Sequence, residues 1–94
     1  MNETNNTYKI LLNGRVQGVG FRYYTENKAR KHDIKGYVRN TLDDGVEIVC
    51  QGREEDLKAF IDEIKKGPPF AMVTKADIQP LNNPKNYHGF DIKF

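Results

Sequence analysis

Apolar positions along the chain recur with two periods, and the switch from one to the other marks out its elements. Tyr8, Ile10 and Leu12 alternate with Lys9, Leu11 and Asn13, a period of two that predicts a strand over Tyr8 to Asn13. From Phe21 to His32 the chain lacks Gly and Pro. Phe21, Thr25 and Ala29 fall four apart there, and Lys28, Arg30, Lys31 and His32 gather where a helix C-terminus favours cations. Strands are predicted at Ile34 to Asn40 and Val46 to Gln51, joined by Thr41-Leu42-Asp43-Asp44-Gly45, whose Asp-Gly step signals a hairpin. In the second of these Val46, Ile48 and Cys50 alternate with Glu47, Val49 and Gln51, so one face is expected to be buried. Leu57, Phe60, Ile61 and Ile64 follow i, i+3, i+4, i+7 behind the acids Glu54 to Asp56, which predicts a second helix that Gly67-Pro68-Pro69 stops. Ala71 to Ile78 reads as a strand, the stretch around Pro80 and Asn82-Asn83-Pro84 as a loop, and Phe90, Ile92 and Phe94 as a last strand.

Strand, helix, strand, strand, helix, strand, with one further strand at the end, fits an α+β fold. Two helices would cover one face of a mostly antiparallel sheet in the ferredoxin-like, split βαβ arrangement, leaving the other face to solvent or a partner. Ninety-four residues suffice for one domain. The expected division is a polar, frayed tail over residues 1–7 and a single domain over residues 8–94. A formal charge of +2 is too small for a protein that coats a polyanion. One cysteine, Cys50, forms no internal disulfide and reads as a small buried hydrophobe. The opening residues do not read as a secretory leader and no apolar run has membrane-spanning length, so the cytoplasm is the expected compartment, with no membrane association.

The chemistry concentrates between Leu12 and Arg22. Gly14, Gly18 and Gly20 separate a strand from a helix, where successive N–H groups can converge on an anion and the helix N-terminus adds free donors. No carboxylate occurs from Thr4 to Thr25, while Lys9, Arg15 and Arg22 are cationic. The spacing matches neither the dinucleotide fingerprint nor the Walker pattern. On glycines alone, a phosphate cradle and a plain tight connection both stand. Arg22 strengthens the first reading, since a guanidinium grips a tetrahedral anion with two parallel bonds. Asn40, at a strand end, reads either as a polar functional group or as a residue bonding its own turn.

Leu12, Gly14, Val16-Gln17-Gly18-Val19, Phe21 and Arg22 resemble the first signature of the acylphosphatase family, and Gly36-Tyr37-Val38-Arg39-Asn40 with Val46 and Gly52 resembles its second. One departure is that the family glycine four residues after the asparagine is Asp44 here, with Gly45 one place later. That bears on the hairpin's turn type rather than on Asn40. The resemblance spans almost the whole chain. It implies a metal-free, cofactor-free hydrolase that splits the carboxyl–phosphate bond of acyl phosphates, with inorganic phosphate as product. Arg22 would bind phosphate together with the loop of Gly14, Arg15, Val16, Gln17, Gly18, Val19 and Gly20, and Asn40 would hold the attacking water.

The chemistry is consistent with that assignment. A carboxylate leaves without a general acid, and phosphoryl transfer asks chiefly for positioning and charge stabilisation. Gln17 reads as a structural tie within the loop, and Arg15 and Arg39 as surface charges without fixed contacts. His32 and His88 lack a ligand-spaced companion, so no metal is expected. Two rival readings are a small RNA-binding module of the same topology and a domain that binds a phosphorylated metabolite without turnover. Against the RNA module, Val46 to Gln51 carries no aromatic for stacking a base. A monomer with a small-molecule partner and no nucleic acid is the expectation.

Overall fold

The computed structural model describes residues 5–94. Its elements run β1 (Asn5–Arg15), α1 (Phe21–Lys31), β2 (Lys35–Asn40), β3 (Val46–Arg53), α2 (Glu54–Lys66), β4 (Met72–Pro80) and β5 (Phe90–Lys93). The sheet order is β4-β1-β3-β2-β5. Three of its pairings are antiparallel, and β5 adds to the edge parallel to β2. The predicted ferredoxin-like order of elements is present, extended by the fifth strand.

Period-two alternation fills one side of the sheet. Ile10, Leu12, Val38, Val46, Ile48 and Cys50 meet Phe21, Ala29, Leu57, Phe60 and Ile64 from the two helices in one core. Each fully buried aliphatic or aromatic side chain of this kind contributes roughly 1.5–3 kcal/mol through removal from water. The Cys50 thiol is buried among them and donates to the Tyr8 carbonyl at 3.6 Å; burial pushes its pKa up to about 12, so it stays protonated. No helix among the described residues is long and apolar enough to cross a membrane.

Besides shifts of one or two residues at several strand ends, with Pro80 falling in β4 rather than in the loop, two features differ from expectation. Strand β1 begins at Asn5, where the sequence reads as a frayed tail over residues 1–7: Asn5, Asn6 and Thr7 pair with Arg53, Gly52 and Gln51. Polar side chains do not prevent a ladder, because the hydrogen bonds are made by main chain. Residues 1–4 lie outside the described residues. The other difference is in β3, which is buried on both faces rather than one. Its polar side is closed by the chain itself. Gln51 Nε2 donates to Thr7 Oγ1 (3.0 Å) and to the Lys85 carbonyl (2.8 Å), while its Oε1 accepts from the Tyr87 amide (3.0 Å). The loop between β4 and β5 is thereby held over the sheet, with Tyr87 edge-on to Tyr37. Glu47 accepts from Tyr37 Oη (2.7 Å) and pairs with Arg39, its register partner. Arg39 is therefore a fixed partner of a buried carboxylate and not a loose surface charge, since same-face neighbours in a ladder sit close enough to pair.

The helices are joined by charge as well as by packing. Glu63 of α2 receives Lys28 (3.1 Å), Lys31 (3.1 Å) and His32 (2.5 Å), and Tyr24 Oη donates to its carbonyl at 2.7 Å. The His32 hydrogen bond first, and the two lysines after it, hold the Glu63 carboxyl well below its ordinary value, at about 2. A depressed carboxylate contributes stability above its unfolded-state pKa and loses it as pH falls through the folded-state value. Urea unfolding between pH 5 and pH 2 should thus show a steeper loss of stability in the wild type than in Glu63→Gln. Parallel pH profiles for the two proteins would refute this role for the cluster.

Candidate active site

The chain leaves β1 through a bulge between Asn13 and Gly14. Gly14 has φ of 118°, and a Cβ there would lie 2.1 Å from the Met72 carbonyl oxygen, so this glycine lets β1 and β4 approach. Gly18 and Gly20 differ from it. Their φ angles of 74° and 79° are left-handed while the space beside each is open, so backbone conformation alone calls for glycine there. Gly20 caps α1 with no side-chain hydrogen bond. The first intrahelical bond is from the Tyr24 amide to the Gly20 carbonyl, 3.0 Å, so the amides of Phe21, Arg22 and Tyr23 head the helix without an intrahelical acceptor.

A cavity of about 100 Å³ opens at this point, lined by Val16, Gly18, Gly20, Phe21, Arg22, Tyr23 and Asn40. It has room for several water-sized groups. No carboxylate lines it, so nothing in the wall repels an anion. Arg22 reaches it from α1 and Asn40 from the end of β2. Among the described residues the Arg22 guanidinium has no ion pair; the ring of Phe94 lies over it, 4.7 Å from Cζ to ring centre. The Asn40 side-chain amide likewise makes no hydrogen bond to any described residue. Two strong polar groups from different elements face one small space and are otherwise unclaimed.

The turn following Asn40 is managed without it. The Thr41 amide donates to the Gly45 carbonyl (2.9 Å), the Gly45 amide donates to Thr41 Oγ1 (2.9 Å), and that hydroxyl donates to Asp43 (2.5 Å). Asp44 takes φ of 68°, the left-handed position expected of a glycine, which Asp tolerates better than most residues. Gly45 is needed for another reason: a Cβ there would lie 2.8 Å from the Leu12 carbonyl oxygen. This settles the turn at the one departure from the family pattern.

Of the predicted loop residues, Val16, Gly18 and Gly20 line the cavity. Gly14, Arg15, Gln17 and Val19 do not. Arg15 is exposed at the end of β1, opposite Met72. Gln17 turns away and donates from Nε2 to the Thr41 (2.9 Å) and Gly45 (2.7 Å) carbonyls, tying the glycine loop to the hairpin. That agrees with the structural role expected of it. Tyr23 and Phe94 were not singled out as site residues. The alternation of Phe90, Ile92 and Phe94 was a signal for the latter, because it puts Phe94 on the helix-facing side of the sheet.

Residues 8–92 match the family model described as Acylphosphatase. An acylphosphatase of Bacillus licheniformis is 44% identical over 87 residues, which span 93% of this chain and 97% of that protein. An acylphosphatase of Thermotoga maritima is 44% identical over 86 residues, spanning 92% and 94%. The crystal structure of acylphosphatase from Bacillus subtilis is similar with a TM-score of 0.91 at 38% identity, covering 95% of this chain and 99% of that one.

Three substitutions test how the loop and the turn are held. Gln17→Ala removes both bonds between loop and hairpin and should cost about 1–2 kcal/mol of stability, at roughly 1 kcal/mol per hydrogen bond; an unchanged urea midpoint would show that the tie is unimportant. Asp44→Val should destabilise by about 1 kcal/mol or more, because a β-branched residue resists the left-handed region. Asp44→Gly should be at least as stable as the wild type in the same titration.

Proposed function

The chain belongs to the acylphosphatase family, and we propose how its residues divide the work of hydrolysing an acyl phosphate to a carboxylate and inorganic phosphate. The phosphoryl oxygens occupy the cavity, held by amides of the glycine loop and the head of α1, with Arg22 bonding them from the helix. Asn40 accepts a hydrogen bond from a water through its side-chain carbonyl and aims that water at phosphorus, in line with the departing carboxylate. The observation that carries this reading is the convergence on one cavity of about 100 Å³ of Arg22 and Asn40, neither engaged by a hydrogen bond or ion pair among the described residues.

The residues suit the reaction. In a loose transition state the equatorial oxygens carry the charge, and preorganised amides with one guanidinium meet it at no reorganisation cost. The nucleophile needs orientation more than activation, which a neutral amide supplies without repelling the substrate. The leaving group is a carboxylate whose own pKa is low, so it departs unprotonated, and no acid residue is required in the wall. Turnover in this reading uses no metal or organic cofactor, the protein acts as a cytoplasmic monomer, and its partner is the small substrate rather than nucleic acid. The polar face of β3 is covered, with Glu47 and Gln51 occupied by neighbouring side chains and loop, so it offers no exposed aromatic on which a base could stack.

Benzoyl phosphate is the assay substrate. Arg22→Ala and Asn40→Ala should each lower kcat/KM by a hundredfold or more, on the order of what loss of one preorganised donor costs. Melting curves should remain close to wild type, since neither side chain is part of the core. Inorganic phosphate should inhibit competitively, EDTA should leave the rate unchanged, and an RNA titration run alongside should show no binding. Full activity in either variant would overturn the assignment.

A further inference from the structure

We propose that Phe94 is a positioning residue for Arg22. The inference rests on the role of Arg22 as phosphate ligand given above and concerns how that side chain is held. Strand β5 pairs parallel with β2, with Val38 opposite Ile92 and Arg39 opposite Lys93, so the next residues along, Asn40 and Phe94, emerge at the same end of the sheet. Alternation then sends Phe94 to the side of Phe90 and Ile92, which pack against the core. Beyond them Phe94 reaches the head of α1, where its ring lies over Arg22 at 4.7 Å. With Arg22 in place Phe94 is still 94% exposed, an unfavourable place for a large apolar group that the core does not require.

A ring supports a guanidinium in a way that an acid cannot. The five N–H donors of Arg lie in its plane, and an aromatic face covers the plane from above while leaving every donor at the edge free. A carboxylate would use those same donors and compete with the phosphate. Arg22 has no ion-pair partner among the described residues, so Phe94 restricts its plane while its charge stays available. Because Arg22 bonds the phosphoryl oxygens in the proposed mechanism, a residue that holds its side chain acts on phosphate binding and not on the choice of acyl group.

The test compares Phe94→Ala, Phe94→Leu and Phe94→Tyr with the wild type. Each is assayed with benzoyl and acetyl phosphate and titrated directly with inorganic phosphate. Phe94→Ala and Phe94→Leu should both weaken phosphate binding and lower kcat/KM by about two- to fivefold, the change to which a partly exposed cation–π contact corresponds. Phe94→Tyr should restore wild-type values, and the benzoyl-to-acetyl ratio should stay constant throughout. Melting temperatures should not move, as the side chain is exposed. Rescue by Leu as complete as by Tyr would show simple apolar cover and overturn the inference, as would an unchanged phosphate affinity in Phe94→Ala. A shift confined to the benzoyl-to-acetyl ratio would make Phe94 an acyl contact instead. If the wild type neither binds phosphate nor hydrolyses either substrate, the functional reading falls and this inference with it; a wild type that does both, beside an unaltered Phe94→Ala, removes this inference alone.

Discussion

The side-chain amide of Gln17 donates to two carbonyls at opposite ends of the β2–β3 turn, and the active-site geometry depends on those bonds. In the proposed mechanism the glycine loop supplies the phosphate donors, while the strand leading into the turn carries Asn40. These segments are distant in sequence, and neither the glycine loop nor the turn that follows β2 is regular structure, so without a tie each would sample its own positions. Reactive geometry tolerates little of that, since small misplacement of an attacking group is costly. One side chain with two donors holds loop to hairpin. Gly45, where a Cβ would strike the Leu12 carbonyl, allows the turn to approach closely enough for the bonds to form.

Charge is distributed along α1 with the same economy. At its C-terminal end, Lys28, Lys31 and His32 are all drawn onto Glu63, which fastens the two helices. At its N-terminal end, Arg22 meets an aromatic ring and, among the described residues, no acid. The contrast separates structural from functional charge more clearly than any single distance. A cation that stabilises the fold is matched by an acid, whereas the one proposed to receive an anion is supported by something that cannot compete for it.

The polar face of the sheet shows how a surface expected to meet solvent becomes part of the structure. Gln51 and Glu47 are buried, yet every polar atom they bring inside is answered, by Thr7, Lys85 and Tyr87 for the first and by Tyr37 and Arg39 for the second. Burial of such groups is tolerable only on that condition. The loop between β4 and β5 is consequently held down by main-chain bonds to Gln51.

Read alone, the chain determined its elements, their order and the chemistry at the turn after β1, because these are local: periodicity in Ile10 and Leu12 or in Leu57, Phe60 and Ile64, left-handed glycines at 18 and 20, and the nearness of Arg22 to both. Tertiary structure alone decided which residues share a cavity. That Gln17 spans loop and hairpin, that Arg39 belongs to Glu47, that β3 is covered on both faces and that Phe94 lies on Arg22 all follow from pairing between strands remote in sequence. Period-two alternation states which side of a sheet a residue faces but not what waits there, since its neighbours are set by strand order and register.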